Sequence, residues 1–282
     1  MSKMNDTSLQ IFDFHSDLIT ENELSLPQKL EFLRSSCDAN GMVLALWTSA
    51  HPLSIEQVYQ ALQPFVQLKL PNVYFSIEDL NLLSTDISSI AALPFLFWGI
   101  VWNNSNRYAS SCFESVDSGL TSHGKKLASA LLQRNRVLDV AHASKKTFLD
   151  ILNIAPPKSV VCSHTCFDSV HSHARNLDFE QCRYLVDNGG IVGLTLVEKF
   201  LGGGSVEHVL RHIDWFADKF GVDNLCLGTD FFGATPLKDL DNYAKVANLR
   251  QELYKKGWTS QDVDKCLYAN LQNFIKQLEL RQ

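Results

Sequence analysis

No segment of this 282-residue chain approaches the roughly 18 consecutive apolar residues that a membrane-crossing helix needs. The opening residues, MSKMNDTSLQ, hold no apolar run of the kind that leads a secreted chain, which predicts a cytoplasmic protein with no membrane attachment. Its seven cysteines are odd in number and form no C-x-x-C pair, which argues against a disulfide framework and a zinc knuckle. They are expected to be buried thiols, Cys162 and Cys166 included. A G-x-S-x-G elbow, a P-loop and a dinucleotide-binding fingerprint are all absent, so serine hydrolases and nucleotide-binding enzymes fall away. Positive charge is also short: the formal net charge of −6 gives no broad attraction to nucleic acid or anionic lipid.

What remains is an ordinary globular composition, 45% hydrophobic and 20% charged, at a length that suits one α/β barrel. No internal repeat or Pro/Gly/Ser linker divides the chain, so residues 1–282 are expected to form one domain. Short apolar runs rich in β-branched and aromatic residues occupy Leu9 to His15, Met42 to Thr48, Asn72 to Glu78 and Phe95 to Trp102. Four more follow at Arg136 to His142, Ser159 to His164, Ile191 to Leu196 and Asn224 to Asp230. Amphipathic stretches alternate with them, among them Ile55 to Leu68, Gly124 to Asn135, Lys146 to Ile154, Glu180 to Asn188 and Val206 to Phe220. Eight parallel strands with intervening helices predict a closed (β/α)8 barrel. Two further helices, over Asn242 to Lys256 and from an N-cap at Thr259, should pack as a final cap.

The strands end on residues able to bind a metal: His15 and Asp17, Glu78, His142, His164 and Asp230. In such a barrel the carboxyl ends of the strands share one face, so residues far apart in sequence converge there. His15 and Asp17, at positions i and i+2 of an extended segment, point the same way and could touch one ion. Alone, an H-x-D pair is more often a capped loop with a surface histidine. Glu78 could bridge two cations, or simply face solvent at a strand terminus. Its neighbour Asp79 should point to the other side. A buried, hydrogen-bonded core histidine is the ordinary explanation of His142 or of His164; two on consecutive strand ends favour zinc. Asp139 could face the core, orient a ligand or stabilise the barrel. Asp230 could act as general base on a water activated by the metal, or cap a turn. Arg175, with Asn176 in the loop after strand six, could clamp a substrate carboxylate or be an ordinary surface arginine. His51, His123, His208 and His212 are read as peripheral, and His171 and His173 as solvated loop residues.

Several segments form a recognisable series: Phe14-His15-Ser16-Asp17-Leu18, Ile77-Glu78, Gly119-Leu120-Thr121 with Gly124, and Leu138-Asp139-Val140-Ala141-His142-Ala143-Ser144. Ser163-His164-Thr165, Arg175-Asn176, Gly189-Gly190-Ile191-Val192-Gly193 and Gly228-Thr229-Asp230-Phe231 complete it. Taken in order, these segments resemble the membrane (renal) dipeptidase family of zinc metallopeptidases, family M19. The resemblance implies two zinc ions, one on His15 and Asp17, the other on His142 and His164, with Glu78 between them. It implies that Asp230 sits beside the water between the metals and that Arg175, with Asn176 and Trp102 nearby, binds a small dipeptide, including one with a C-terminal D-residue. Pairing into a homodimer is a further implication. Eukaryotic members carry a histidine where this chain has Trp102, whose indole N–H could donate one hydrogen bond. Phe232 stands where many relatives are acidic, and no proline follows Asn176. These departures keep open a related amide or ester hydrolase, or a barrel that binds metal without turnover.

Overall fold

Eight parallel strands hydrogen-bond in chain order and close on themselves in the computed structural model, which describes residues 10–37 and 40–281. They are β1 (Phe12–Ser16), β2 (Gly41–Trp47), β3 (Val73–Glu78), β4 (Phe97–Gly99), β5 (Val137–Asp139), β6 (Val160–Thr165), β7 (Val192–Leu194) and β8 (Leu225–Leu227). Between them run α1 (Leu26–Cys37), α2 (Ile55–Val66), α3 (Ile87–Ala91), α4 (Ser122–Leu132), α5 (Lys145–Leu152), α6 (Phe179–Asp187), α7 (Glu198–Leu201) and α8 (Val206–Phe220). The arrangement is the expected (β/α)8 barrel. Polar residues at the loop-to-helix junctions start the helices: Ser54 and Asp178 form capping boxes with Gln57 and Gln181, and the Thr121 and Ser144 hydroxyls accept from Gly124 and Thr147 N–H.

Several strands are shorter than the apolar runs that announce them. The run to His142 leaves the ladder after Asp139, and three residues on His142 takes the left-handed region at φ 66°. The run to Asp230 stops at Leu227, and Asp230 likewise has φ 63°. Only Phe97–Gly99 of the expected Phe95 to Trp102 pairs as β4, and the expected start at Leu9 lies outside the described residues. The helix expected over Asn242 to Lys256 divides into α9 (Tyr243–Val246) and α10 (Leu249–Lys255), with Tyr243 drawn inward. His212, read as peripheral, is fully buried. Its Nδ1 accepts from Phe167 N–H and its Nε2 faces the Leu201 carbonyl, which satisfies both ring nitrogens within the core.

The chain ends in α11 (Ser260–Asp264), capped by Thr259 as expected, a π-helical turn over Lys265–Ala269, and α12 (Asn270–Glu279). Phe12, Phe14, Val43, Phe97, Val137 and Val161 fill the barrel interior and meet Leu271, Phe274 and Ile275 of α12. Side chains pin this helix to residues at or just before the strand starts. Tyr74 Oη donates to Glu279 at 3.0 Å, Lys158 Nζ to Gln277 at 2.9 Å, and Asn270 Nδ2 to the Val222 carbonyl at 2.6 Å. The amino mouth is therefore sealed with apolar side chains and the carboxyl mouth is left for chemistry. Within the barrel, Gly228 comes so close to β6 that a Cβ there would stand 1.8 Å from the Ser163 carbonyl oxygen. No helix among the described residues is long and apolar enough to cross a membrane.

Phe274→Ala should cost about 3–5 kcal/mol of unfolding free energy through the cavity it leaves under the barrel. Urea denaturation followed by circular dichroism measures this, and a midpoint equal to that of the parent would contradict the sealing role of α12.

Candidate metal centre

Six buried side chains meet at the carboxyl mouth. His15 comes from β1, Asp17 from the residue just after it, Glu78 from the last position of β3 and His164 from β6. His142 and Asp230 follow β5 and β8 by three residues each, and their left-handed backbones turn the chain off the strand. Such conformations are uncommon for residues with a Cβ and cost on the order of 1–3 kcal/mol, a strain typical of functional sites.

The donor atoms of the six fall to either side of Glu78, and Asp139 forms a further group with His15 and His164. Glu78 Oε1 lies 2.9 Å from His142 Nε2 and 3.4 Å from His164 Nε2, while its Oε2 faces His15 Nε2 at 3.7 Å. His15 Nε2 is 3.3 Å from Asp17 Oδ2, and His15, Asp17 and Asp230 present donor atoms within 4.8 Å of one another. His142 Nε2 and His164 Nε2 approach to 3.0 Å. Asn103 Oδ1, which can only accept, sits 2.8 Å from His142 Nδ1, so the ring hydrogen is on Nδ1 and the Nε2 lone pair points at Glu78. The Ser163 hydroxyl lies 2.8 Å from His164 Nδ1 and 3.5 Å from His15 Nδ1.

Lone pairs and carboxylates directed at one another repel unless a cation lies between them. His15 Nε2 and Asp17 Oδ1 are buried with no hydrogen-bond partner, and a Cβ on Gly233 would stand 2.1 Å from Asp17 Oδ2 and 2.7 Å from Asp230 Oδ1. Space is thus kept clear around oxygens and nitrogens of the kind zinc prefers, and the residues fit a metal pair. The electrostatics differ between the rings: burial disfavours charge on His15, but Asp17 and Glu78 outweigh it and raise His15 well above its usual value, the mark of a site rich in negative charge. Burial, joined by repulsion from Arg175, lowers His142 to about 4, and burial with His15 and Arg175 holds His164 well below its usual value, so both rings are neutral donors. Burial works against charge on Glu78 too, but contacts with His15 and His142 outweigh it and keep this carboxyl well below the usual range. Burial, reinforced by Asp17 and Glu78, pushes Asp230 well above it.

A cavity of about 510 Å³ opens over the centre, walled by Trp47, Trp102 and Phe200, with Glu21 and Glu23 of one sign and Lys199 of the other. Trp102 meets Trp47 edge-on at 5.0 Å and lies 6.0 Å from the His142 ring. Phe232 lines the same cavity. Arg175 and Asn176 instead line a neighbouring cavity of about 280 Å³ that shares His142. The Arg175 guanidinium is buried beside the Phe200 ring, donates to the His164 carbonyl at 3.2 Å and leaves Nε without a partner. Asn176 spends its amide hydrogens on the His171 and Phe200 carbonyls, bracing two loops. Asp79 turns away from the centre to accept from Ser49 and Asn106. Cys162 and Cys166 are buried, and burial raises both thiols, as packing residues require. Asn103 and the Ser163 hydroxyl were not legible as parts of the site: each acts through a hydrogen bond that spacing does not reveal.

Comparison with known proteins bears on the family. The sequence profile of the membrane dipeptidase family matches residues 47–282. Dipeptidase tcpJ of Claviceps purpurea is 24% identical over 182 residues, 62% of this chain and 43% of that protein, so the chain spans less than half of that relative. Among solved structures, a metallopeptidase described as dipeptidase AC of family M19 superposes with a TM-score of 0.82 at 19% identity, covering 95% of this chain and 98% of that one. A metallopeptidase from Rhodobacter sphaeroides, liganded with a phosphinate mimic of the dipeptide L-Ala-D-Ala, gives 0.79 at 19% identity over 96% and 99%. At that identity the structural likeness establishes the fold. The profile match, which runs over most of the sequence, establishes the kinship: this chain belongs to the membrane dipeptidase family, peptidase family M19.

Proposed function

We propose that this chain hydrolyses dipeptides with two zinc ions at the carboxyl mouth of the barrel, one held by His15 and Asp17, the other by His142 and His164, with Glu78 between them. The observation that carries this reading is the division of Glu78, whose two oxygens face separate sets of imidazole nitrogens. Bound zinc would polarise the peptide carbonyl and bring the pKa of a water to about 7. Asp230, beside Asp17 and raised by burial, is the group suited to take the proton of the attacking water on its carboxylate and return it to the leaving amine.

The remaining residues select and orient the substrate. Arg175 is a buried guanidinium with an unpartnered Nε, and a buried cation of this kind is stabilised by an anion such as the carboxylate of a dipeptide. Walls carrying Glu21 and Glu23 on one side and Lys199 on another suit a zwitterion. Trp102 lines the cavity over the centre, and its indole N–H is the donor we assign to the substrate carbonyl oxygen, in place of the histidine of eukaryotic relatives. The dipeptide mimic bound by the Rhodobacter sphaeroides metallopeptidase supports substrates with a C-terminal D-residue.

The purified chain should cleave Ala-Ala or Gly-D-Ala, lose that activity to a chelator and regain it on adding zinc. Cleavage that persists after metal has been stripped to undetectable levels by elemental analysis would refute the metal reading, and absence of cleavage from a zinc-loaded chain would refute the substrate. Arg175→Met should raise KM for a free dipeptide roughly tenfold to a hundredfold and leave metal content unchanged. An unaltered KM would show that Arg175 does not bind the carboxylate.

A further inference from the structure

Asp13 lies beneath the metal centre, fully buried and two residues before His15. Both of its oxygens are occupied. Oδ1 accepts from Thr229 N–H at 2.8 Å and from His15 N–H at 3.2 Å. Oδ2 accepts from the Thr229 hydroxyl at 2.6 Å and from Tyr243 Oη at 2.7 Å. A carboxylate with four donors around it has no lone pair directed at a metal, and Asp13 belongs to none of the clusters of metal-binding donors at the mouth. Its partners identify its work. Thr229 immediately precedes Asp230, so a single side chain holds the strand end that carries His15 against the strand end that carries Asp230.

This joint matters because the ladder between those strands is thin. The barrel closes between β1 and β8 through one registered pair, Asp13 with Leu227. Beyond it, among the described residues, the two backbones are joined by Asp230 N–H to the His15 carbonyl at 3.1 Å and Asp17 N–H to the Phe231 carbonyl at 2.8 Å. The same construction recurs in the other half of the centre. Asp139 Oδ1 accepts from Ala141 N–H and Ser163 N–H, each at 3.0 Å, and so joins the residues just before His142 and His164. Tyr243 adds a link from α9, outside the barrel, to the same oxygen that receives the Thr229 hydroxyl.

From this geometry we infer that Asp13 is a positioning residue that sets Asp230 against the His15 and Asp17 pair. The inference rests on the proposed dipeptidase function, since the proton carried by Asp230 is what the placement serves. Loss of the joint misplaces Asp230 without removing any group that binds substrate, so its effect falls on turnover.

The test compares Asp13→Ala and Asp13→Asn with the parent, all loaded with cobalt(II), by dipeptide kinetics and by the visible absorption of the cobalt. Asp13→Ala should lower kcat about 10- to 100-fold, the range for losing a hydrogen bond behind a metal centre, with KM changed less than about threefold. Its cobalt spectrum should shift. Asp13→Asn should return both readouts close to the parent, because its amide oxygen accepts from the two N–H groups and its NH2 donates to hydroxyls that can reverse. Should Asp13→Ala fail to fold, Thr229→Val removes the hydroxyl contact, together with the longer bond that hydroxyl accepts from Phe231 N–H at 3.2 Å, and keeps Thr229 N–H on Asp13; it should show the same split with a smaller loss. A folded Asp13→Ala or Thr229→Val protein with the parent's kcat and spectrum would overturn the proposal, as would an Asp13→Asn protein as impaired as Asp13→Ala. A parent that binds cobalt but cleaves no dipeptide would instead refute the proposed function, leaving the spectra to decide the role of Asp13.

Discussion

Three buried carboxylates and three imidazoles converge at the carboxyl mouth with their lone pairs toward one another, and that convergence is stable only around positive charge. Glu78 lies at its middle, 2.9 Å from one imidazole nitrogen, 3.4 Å from a second and 3.7 Å from a third. Burial alone would favour neutral carboxyls at this depth. The chain nevertheless keeps Asp17, Glu78 and Asp230 together, with Gly233 leaving open the space that a methyl group would fill. A barrel without a metal would have no reason to hold them so.

The rest of the molecule can be understood as support for that convergence. Apolar side chains and α12 seal the amino mouth, so the packing that stabilises the barrel and the polar groups that would bind metal occupy opposite ends. His142 and Asp230, three residues past their strands, take left-handed backbones at the mouth. Asn103 and Ser163 sit behind the imidazoles on the Nδ1 side, which leaves each Nε2 facing the centre.

That His15, Asp17, Glu78, His142, His164 and Asp230 come together could be read from the sequence because a parallel barrel makes neighbours of all its strand ends, and each of the six stands at or near the end of a strand-forming run. The eight-stranded closure was legible for the same reason, and so was the helix N-cap at Thr259. Strand ends were overestimated before His142 and Asp230, where pairing stops three residues short of a left-handed residue and the sequence carries no sign of where the ladder ends. Contacts between distant side chains were out of reach: Asn103 meets His142 from 39 residues away, and Asp13 meets Thr229 from 216. Asn176 looked like a substrate contact beside Arg175, but its amide hydrogens are engaged by loop carbonyls, which no spacing rule reveals. His212 looked peripheral because an amphipathic helix pattern does not show a histidine whose two ring nitrogens are satisfied inside the core.

The most direct test of a metal pair bridged by Glu78 is anomalous X-ray diffraction from zinc-soaked crystals on either side of the zinc absorption edge. Two peaks are expected, one about 2.0–2.1 Å from the Nε2 atoms of His142 and His164 and the other at the same range from His15 Nε2, with a Glu78 oxygen beside each. A single peak, or peaks that leave Glu78 outside the coordination of either ion, would contradict the account.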